Sequence, residues 1–396
     1  MSSSLKKVFN FLLFVVFAEI FGDSITHIFP FEYTIFDSYT KQFITLLFLI
    51  LFIFGIKKIP KLTYKWLPFW LILFVFFYGL ILGIILNKPI NAINDFSSYI
   101  AFLLLLVVIN FKSINIEYDI FQYIKYLLII ILIKLLLNQF FSVLIFGTPS
   151  WKVLFKASPV LLIPYSIFLN KILKEKKIKF DTSLNLLLIL FFLIIAVARM
   201  IFIAMILISM VQFFRNGILR SPKKVFLISF FFILAFSLYF MTQYGDDSSS
   251  NIFGHIYGGD IYQEGMDYRL IQFNIIISRF VEYPLTGVGF GAFTKGYLTY
   301  EDLAKPYLLE LDILNFFSKI GIIISLIYIS SYYILWKLIN NVIDIKIRDL
   351  FISFFLGLIG LLVYSTGQTL HQGYLFWICL SLLYGYLIIQ LKRQKQ

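Results

Sequence analysis

Tyr268-Arg-Leu-Ile-Gln-Phe-Asn274, Glu282-Tyr-Pro-Leu-Thr-Gly-Val-Gly-Phe-Gly-Ala-Phe293 and Tyr307-Leu-Leu-Glu-Leu-Asp-Ile-Leu-Asn-Phe-Phe-Ser-Lys-Ile-Gly321 hold much of the polar chemistry of an otherwise apolar chain. An arginine precedes a short helical run. A proline and three glycines then make a turn, and two acids sit where a new apolar helix begins. The rest of the chain reads as a scaffold that fixes this stretch at a membrane.

Composition sets that frame. Of 396 residues, 60% are hydrophobic and 48 are phenylalanine. The mean hydropathy is +0.90, more apolar surface than a soluble core needs. The net charge of +13 does not point to nucleic acid, because the basic residues fall in short clusters between apolar runs. The one cysteine, Cys379, lies in an apolar run, so there is no disulfide framework. Lys6 and Lys7 precede the first apolar run as in a signal peptide, but no small-residue cleavage site follows, so the run reads as an uncleaved span.

Taking about 20 residues per crossing, about twelve apolar segments are expected to span. They are 8–26, 42–56, 66–86, 97–110, 120–146, 154–171, 183–198, 200–214, 223–241, 311–336, 349–366 and 373–391. With the N-terminus inside, the inside loops hold Lys57, Lys58, Lys61 and Lys65, then Lys171 to Lys179, Arg215 to Lys224, and Lys337 to Arg348. The outside loops hold most of the acids, as the positive-inside rule requires. The expectation is an all-α polytopic membrane protein, a single transmembrane domain over 1–396 with both termini cytoplasmic. Residues 242–309 form one larger outside loop.

Residues 183–214 could be one run with Arg199 in its middle. Such a helix would be about 48 Å long against a hydrocarbon core of about 30 Å. Two spans turning near Arg199 fit better. Residues 268–281 read as a short amphipathic helix on the membrane, with Gln272 and Arg279 on one face. Lys134, inside the fifth run, has no evident partner.

The order Ala-Val-Ala-Arg199, then Arg269, then Pro284-Leu-Thr-Gly287-Val-Gly289-Phe-Gly291, then an acid leading into an apolar helix with Gly321, resembles the O-antigen ligase and O-antigen polymerase family of bacterial envelope enzymes. The resemblance covers about residues 183–335. It implies a GT-C-like membrane glycosyltransferase of the bacterial inner membrane with its active site facing the periplasm. Its donor would be a glycan on undecaprenyl pyrophosphate. A flippase and a chain-length regulator would be partners, and nucleic acid would not. Ligases of the family place His-Asn at the head of the last span. Here Glu310 and Leu311 occupy those positions, which favours a polymerase over a ligase acting on lipid A-core.

The residue types suit the chemistry. Displacing pyrophosphate from a sugar C1 needs positive charge on the leaving group, and arginine binds phosphate oxygens bidentately. Arg199 and Arg269 are the candidates, with Arg279 as a further substrate-binding residue. The acceptor hydroxyl needs a base, for which Glu310 and Asp312 compete. His371 is expected on the same side as Glu310. Gly287 and Gly289 allow backbone to approach a ligand or another helix closely. Each has a plainer reading: an arginine snorkelling at a helix end, an acid complementing a helix dipole, a glycine serving packing.

No cofactor and no metal are expected. Asp23, Glu32 and Asp37 would suit a metal-dependent lipid-linked glycosyltransferase but are not clustered, and Asp246-Asp247 reads as a solvated turn. A transporter or flippase of the same lipid-linked glycan would show interrupted helices with charges at mid-depth and paired repeats, and no repeat is evident.

The topology predicts that a cysteine replacing Ser249 on a Cys379→Ala background reacts with an impermeant maleimide on intact cells. A cysteine there that labels only after permeabilisation contradicts it.

Overall fold

The computed structural model describes residues 60–110, 115–146, 158–174, 180–195, 199–217, 259–292, 311–366 and 374–394. Within them the chain is helical, with no strand. Eleven α-helices follow in order. They are α1 (Leu67–Leu86), α2 (Pro89–Phe96), α3 (Leu104–Val108), α4 (Ile116–Phe146), α5 (Leu162–Lys174), α6 (Phe180–Ile195), α7 (Arg199–Asn216), α8 (Gly259–Glu282), α9 (Asp312–Asn340), α10 (Ile345–Tyr364) and α11 (Tyr374–Arg393). The expected spans 8–26, 42–56 and 223–241 lie outside the described residues.

Among the described residues, five helical stretches are long and apolar enough to cross a membrane: Tyr64–Leu86, Pro89–Val108, Asp312–Asn340, Ile345–Tyr364 and Tyr374–Arg393. Phe74, Phe77, Ile81 and Ile85 of α1 are exposed, as a lipid-facing surface would be. The stretch expected at 97–110 starts earlier, at Pro89. Asn91, Asn94 and Asp95 make its first turns too polar for a hydropathy reading. Its middle, Ser97–Leu103, is 3-10 helix, where hydrogen-bond geometry is poorer. Ser381 Oγ of α11 donates to the carbonyls of Ala101 at 3.2 Å and Phe102 at 2.9 Å, supplying partners that lipid cannot.

Asp349, one turn into α10, pairs with both Lys174 and Arg215, the basic ends of α5 and α7. The chain that leaves this end at Lys174 is therefore back at it by Arg215. Among the described residues that excursion comprises the helices α6 and α7. At 16 and 18 residues they are about 24 and 27 Å long. Asp344 caps α10 at the same end, its Oδ1 accepting from Lys346 N at 2.9 Å. At the opposite end Ile313 N donates to Ser365 O at 3.3 Å, joining the start of α9 to the end of α10. The bundle thus has one basic end and an opposite end where α9 begins.

The apolar run expected at 311–336 is α9, and it is broken. Gly321 has φ +77° and ψ 170°, far from helical. The bond that Ile322 N would make to Ser318 O is replaced. Ile322 N donates to Pro284 O at 2.9 Å, while Ser318 O accepts from Val288 N at 3.3 Å. Lys319 O accepts from Gly289 N at 2.8 Å. The glycine loop is thus inserted into the breach, and its other side is held by α1. Phe290 N donates to Gly79 O at 2.9 Å, Asn87 Nδ2 to Val288 O at 2.8 Å, and Tyr78 OH to Thr286 O at 2.9 Å.

This contact is backbone on backbone. A Cβ on Gly287 would lie 2.5 Å from Gly321 N, and one on Gly321 would lie 2.6 Å from Gly287 N. Gly287 also has φ +74°. Gly287→Ala and Gly321→Ala should each destabilise the purified protein by more than about 2 kcal/mol, through strain and overpacking together. Gly217→Ala has a similar φ of +60° but open space around it. It should cost only about 1 kcal/mol. Equal thermal shifts for all three variants would show that conformation, not close approach, sets the requirement.

Candidate functional site

Helix α8 extends from Gly259 to Glu282, longer than the 268–281 expected. Gly265 and the acids Asp260, Glu264 and Asp267 break the apolar pattern over its first half. Gln272 and Arg279 share one face as expected, and both are buried, at 2% and 6% exposure. That face grips the head of α9. Gln272 Oε1 accepts from Leu311 N at 3.4 Å. Arg279 Nη1 donates to Asn315 Oδ1 at 2.8 Å, and its Nη2 to the carbonyl of Ala292 at 3.2 Å. Burial pulls the Arg279 guanidinium down to about 10, with the Asp95 charge acting the other way. It therefore remains a cation at neutral pH.

Below this face lies an ion pair between elements far apart in sequence. Lys319 Nζ donates to Asp95 Oδ2 at 2.6 Å, with both side chains fully buried. The same Oδ2 accepts from Gly291 N at 2.8 Å. The loop exit is therefore clamped twice: Asp95 holds the N–H of Gly291, and Arg279 holds the carbonyl of Ala292. Asp312, the first residue of α9, is also fully buried and lies within electrostatic reach of Lys319 and Tyr99. Tyr99 stacks on Phe290 of the loop, ring centroids 5.1 Å apart and planes at 15°. Phe316 and Trp377 close round Tyr99 at 5.7 and 5.3 Å.

Of the residues singled out from the sequence, the structure brings Arg279, Asp312, Gly287 and Gly289 into this one region. Gly287 meets Gly321, as above, and Gly289 meets α1, where a Cβ would lie 2.5 Å from Gly83 N. These glycines serve the approach of backbone to helices. Arg199 is the first residue of α7, at the end away from Asp349, and Arg269 lies in α8. The side chains of both, and that of Lys134, are outside the described residues, as are Glu310 and His371 altogether.

Sequence reading gave no role to Asp95 or Lys319. The signal was present for Lys319, a lysine inside an apolar run, which needs a buried partner for the reason that drew attention to Arg199. Asp95 sits at the edge of a polar turn, and nothing local marks it as buried.

Comparison of the chain with known protein families, with curated proteins and with solved structures returns no match.

Lys319→Met leaves Asp95 as a buried carboxylate without its counter-ion and should cost about 3–5 kcal/mol in denaturation of the detergent-solubilised protein. Asp95→Asn still offers an acceptor to Gly291 N–H. The double variant Asp95→Asn/Lys319→Met should therefore cost clearly less than the two single changes summed. Strict additivity would mean that the pair carries no coupling.

Proposed function

We propose that the chain is a membrane glycan polymerase. It transfers an undecaprenyl-pyrophosphate-linked oligosaccharide onto the acceptor hydroxyl of another lipid-linked repeat unit, without a metal and with inversion at the anomeric carbon. The observation that carries this reading is the bond from Leu311 N to Gln272 Oε1. Gln272 is three residues after Arg269, and Leu311 directly follows Glu310. The segment with the proposed leaving-group arginine and the segment with the proposed base are thus tied together, at the end of the bundle opposite its basic end. The basic end is then cytoplasmic and the site faces the periplasm.

In this scheme the acceptor oxygen attacks C1 of the donor sugar. The bond from C1 to the pyrophosphate oxygen breaks, and its electron pair leaves with the pyrophosphate. Arg269 and Arg199 meet that charge, and the hydroxyl proton passes to the Glu310 carboxylate. Asp312, the other candidate base, is fully buried, which removes it from an acceptor arriving from water.

Mass spectrometry of lipid-linked glycans in a deletion strain tests the proposal. Accumulated single repeat units are expected. Accumulated long chains would make the protein a ligase, and an unchanged profile removes both. In the complemented strain Glu310→Gln should lower polymerisation by about two to four orders of magnitude. Arg269→Ala should abolish it, with Arg269→Lys recovering only part.

One observation favours a second reading. The break at Gly321 beside the buried Asp95–Lys319 pair is an interrupted helix with charges inside the bundle, as in transporters. A flippase of the same lipid-linked glycan would move it across proteoliposomes without forming a glycosidic bond, and that assay separates the two.

A further inference from the structure

Helices α4, α5 and α6 enclose a half-open groove of about 470 Å³, within the roughly 300–1,000 Å³ range of ligand pockets. Its lining changes character along its length. On α4, Lys125 stands between Phe121 and Ile124 on one side and Leu128 and Leu132 on the other. On α6 the lining runs through Asp181, Asn185, Leu188 and Phe192, from charged and polar to apolar over about 16 Å.

The polar mouth lies at the basic end of the bundle. Lys171, which also lines it, is one turn before Lys174, the partner of Asp349. Lys171 Nζ stands 4.9 Å from the centre of the Phe121 ring. Among the described residues neither Lys125 nor Lys171 pairs with a carboxylate, whereas Lys174 and Arg215 beside them do. Leu132 and Leu188 on the apolar part are exposed, at 44% and 40%.

We propose that this groove is a binding site for one anionic phospholipid of the leaflet at the basic end. The two lysines hold its phosphate, Asn185 bonds its headgroup, and an acyl chain lies along Leu128, Leu132, Leu188 and Phe192. The charge and the gradient select this occupant. A soluble anion would not use the apolar length, and a neutral lipid would not use the two lysines, which outnumber Asp181, the one acid among the lining residues. The site lies at the opposite end from the glycine loop, so it does not depend on the function proposed above.

The test is native mass spectrometry of the delipidated full-length protein in detergent, with equal amounts of phosphatidylglycerol and phosphatidylcholine added. One phosphatidylglycerol should be retained about tenfold or more in preference. Lys125→Ala/Lys171→Ala should lose the preference, and Lys125→Arg/Lys171→Arg should keep it. Leu128→Trp, which fills the apolar slot, should reduce retention with the charges intact. All variants are compared at equal monodispersity, so misfolding is seen separately. Equal retention of both lipids by the native chain would overturn the proposal. So would a preference that survives the double alanine change, or displacement of phosphatidylglycerol by equimolar polyprenyl phosphate.

Discussion

The breach in α9 at Gly321 is the constraint on which the arrangement depends. A helix in lipid satisfies its own backbone, and one non-helical residue removes that closure. Here Ile322 N and the carbonyls of Ser318 and Lys319 all take partners from the loop 284–289. The loop reaches them only because residues 287 and 321 meet without side chains between them. A loop at that depth must also satisfy its own outer edge, and α1 does so through Gly79 O and Asn87. The sequence of α1 and α2 is thus constrained by a residue more than two hundred positions away.

The Asp95–Lys319 pair follows from the same breach. Lys319 stands two residues before the break, in the turn whose carbonyls the loop occupies. A buried ion pair is weak evidence for stability, since desolvation offsets much of the attraction, but it can fix register. Asp95 does so for three segments at once, joining α2 to α9 through Lys319 and to the loop through Gly291 N. A slip of one residue in the loop would withdraw Gly291 N–H from the carboxylate and leave Asp95 with less than its charge requires.

The helical class and the five long apolar helices found among the described residues were legible in the sequence because they rest on apolar run length. Of the basic residues expected on one side, Lys174 and Arg215 meet at Asp349. The start of the fourth run at Pro89 was not legible. Its acid and asparagines look like a loop until tertiary pairing hides the acid, and hydropathy cannot see pairing. The break in α9 was also hidden, since Ile-Gly-Ile inside an apolar run reads as continuous helix. For the site, the Gln272 and Arg279 face was visible from a spacing of seven. The partners Asn315 and Ala292 were not, because such contacts depend on where the loop returns.

The arrangement divides the arginines by role within the proposed chemistry. The buried cluster carries Arg279 and Lys319 as cations and Asp95 and Asp312 as acids, so its formal charges cancel. Arg279 directs its two terminal nitrogens at the neutral acceptors Asn315 Oδ1 and Ala292 O, and Lys319 directs its ammonium at Asp95. A pyrophosphate arriving there would have to displace bonds that hold the head of α9 and the loop exit. The proposed chemistry therefore assigns the leaving group to Arg269 and Arg199 rather than to Arg279 and Lys319. Arg279 and Lys319 then act on the chemistry through geometry, by fixing the loop and the start of α9 before any ligand binds, so that little ordering remains to be done on binding.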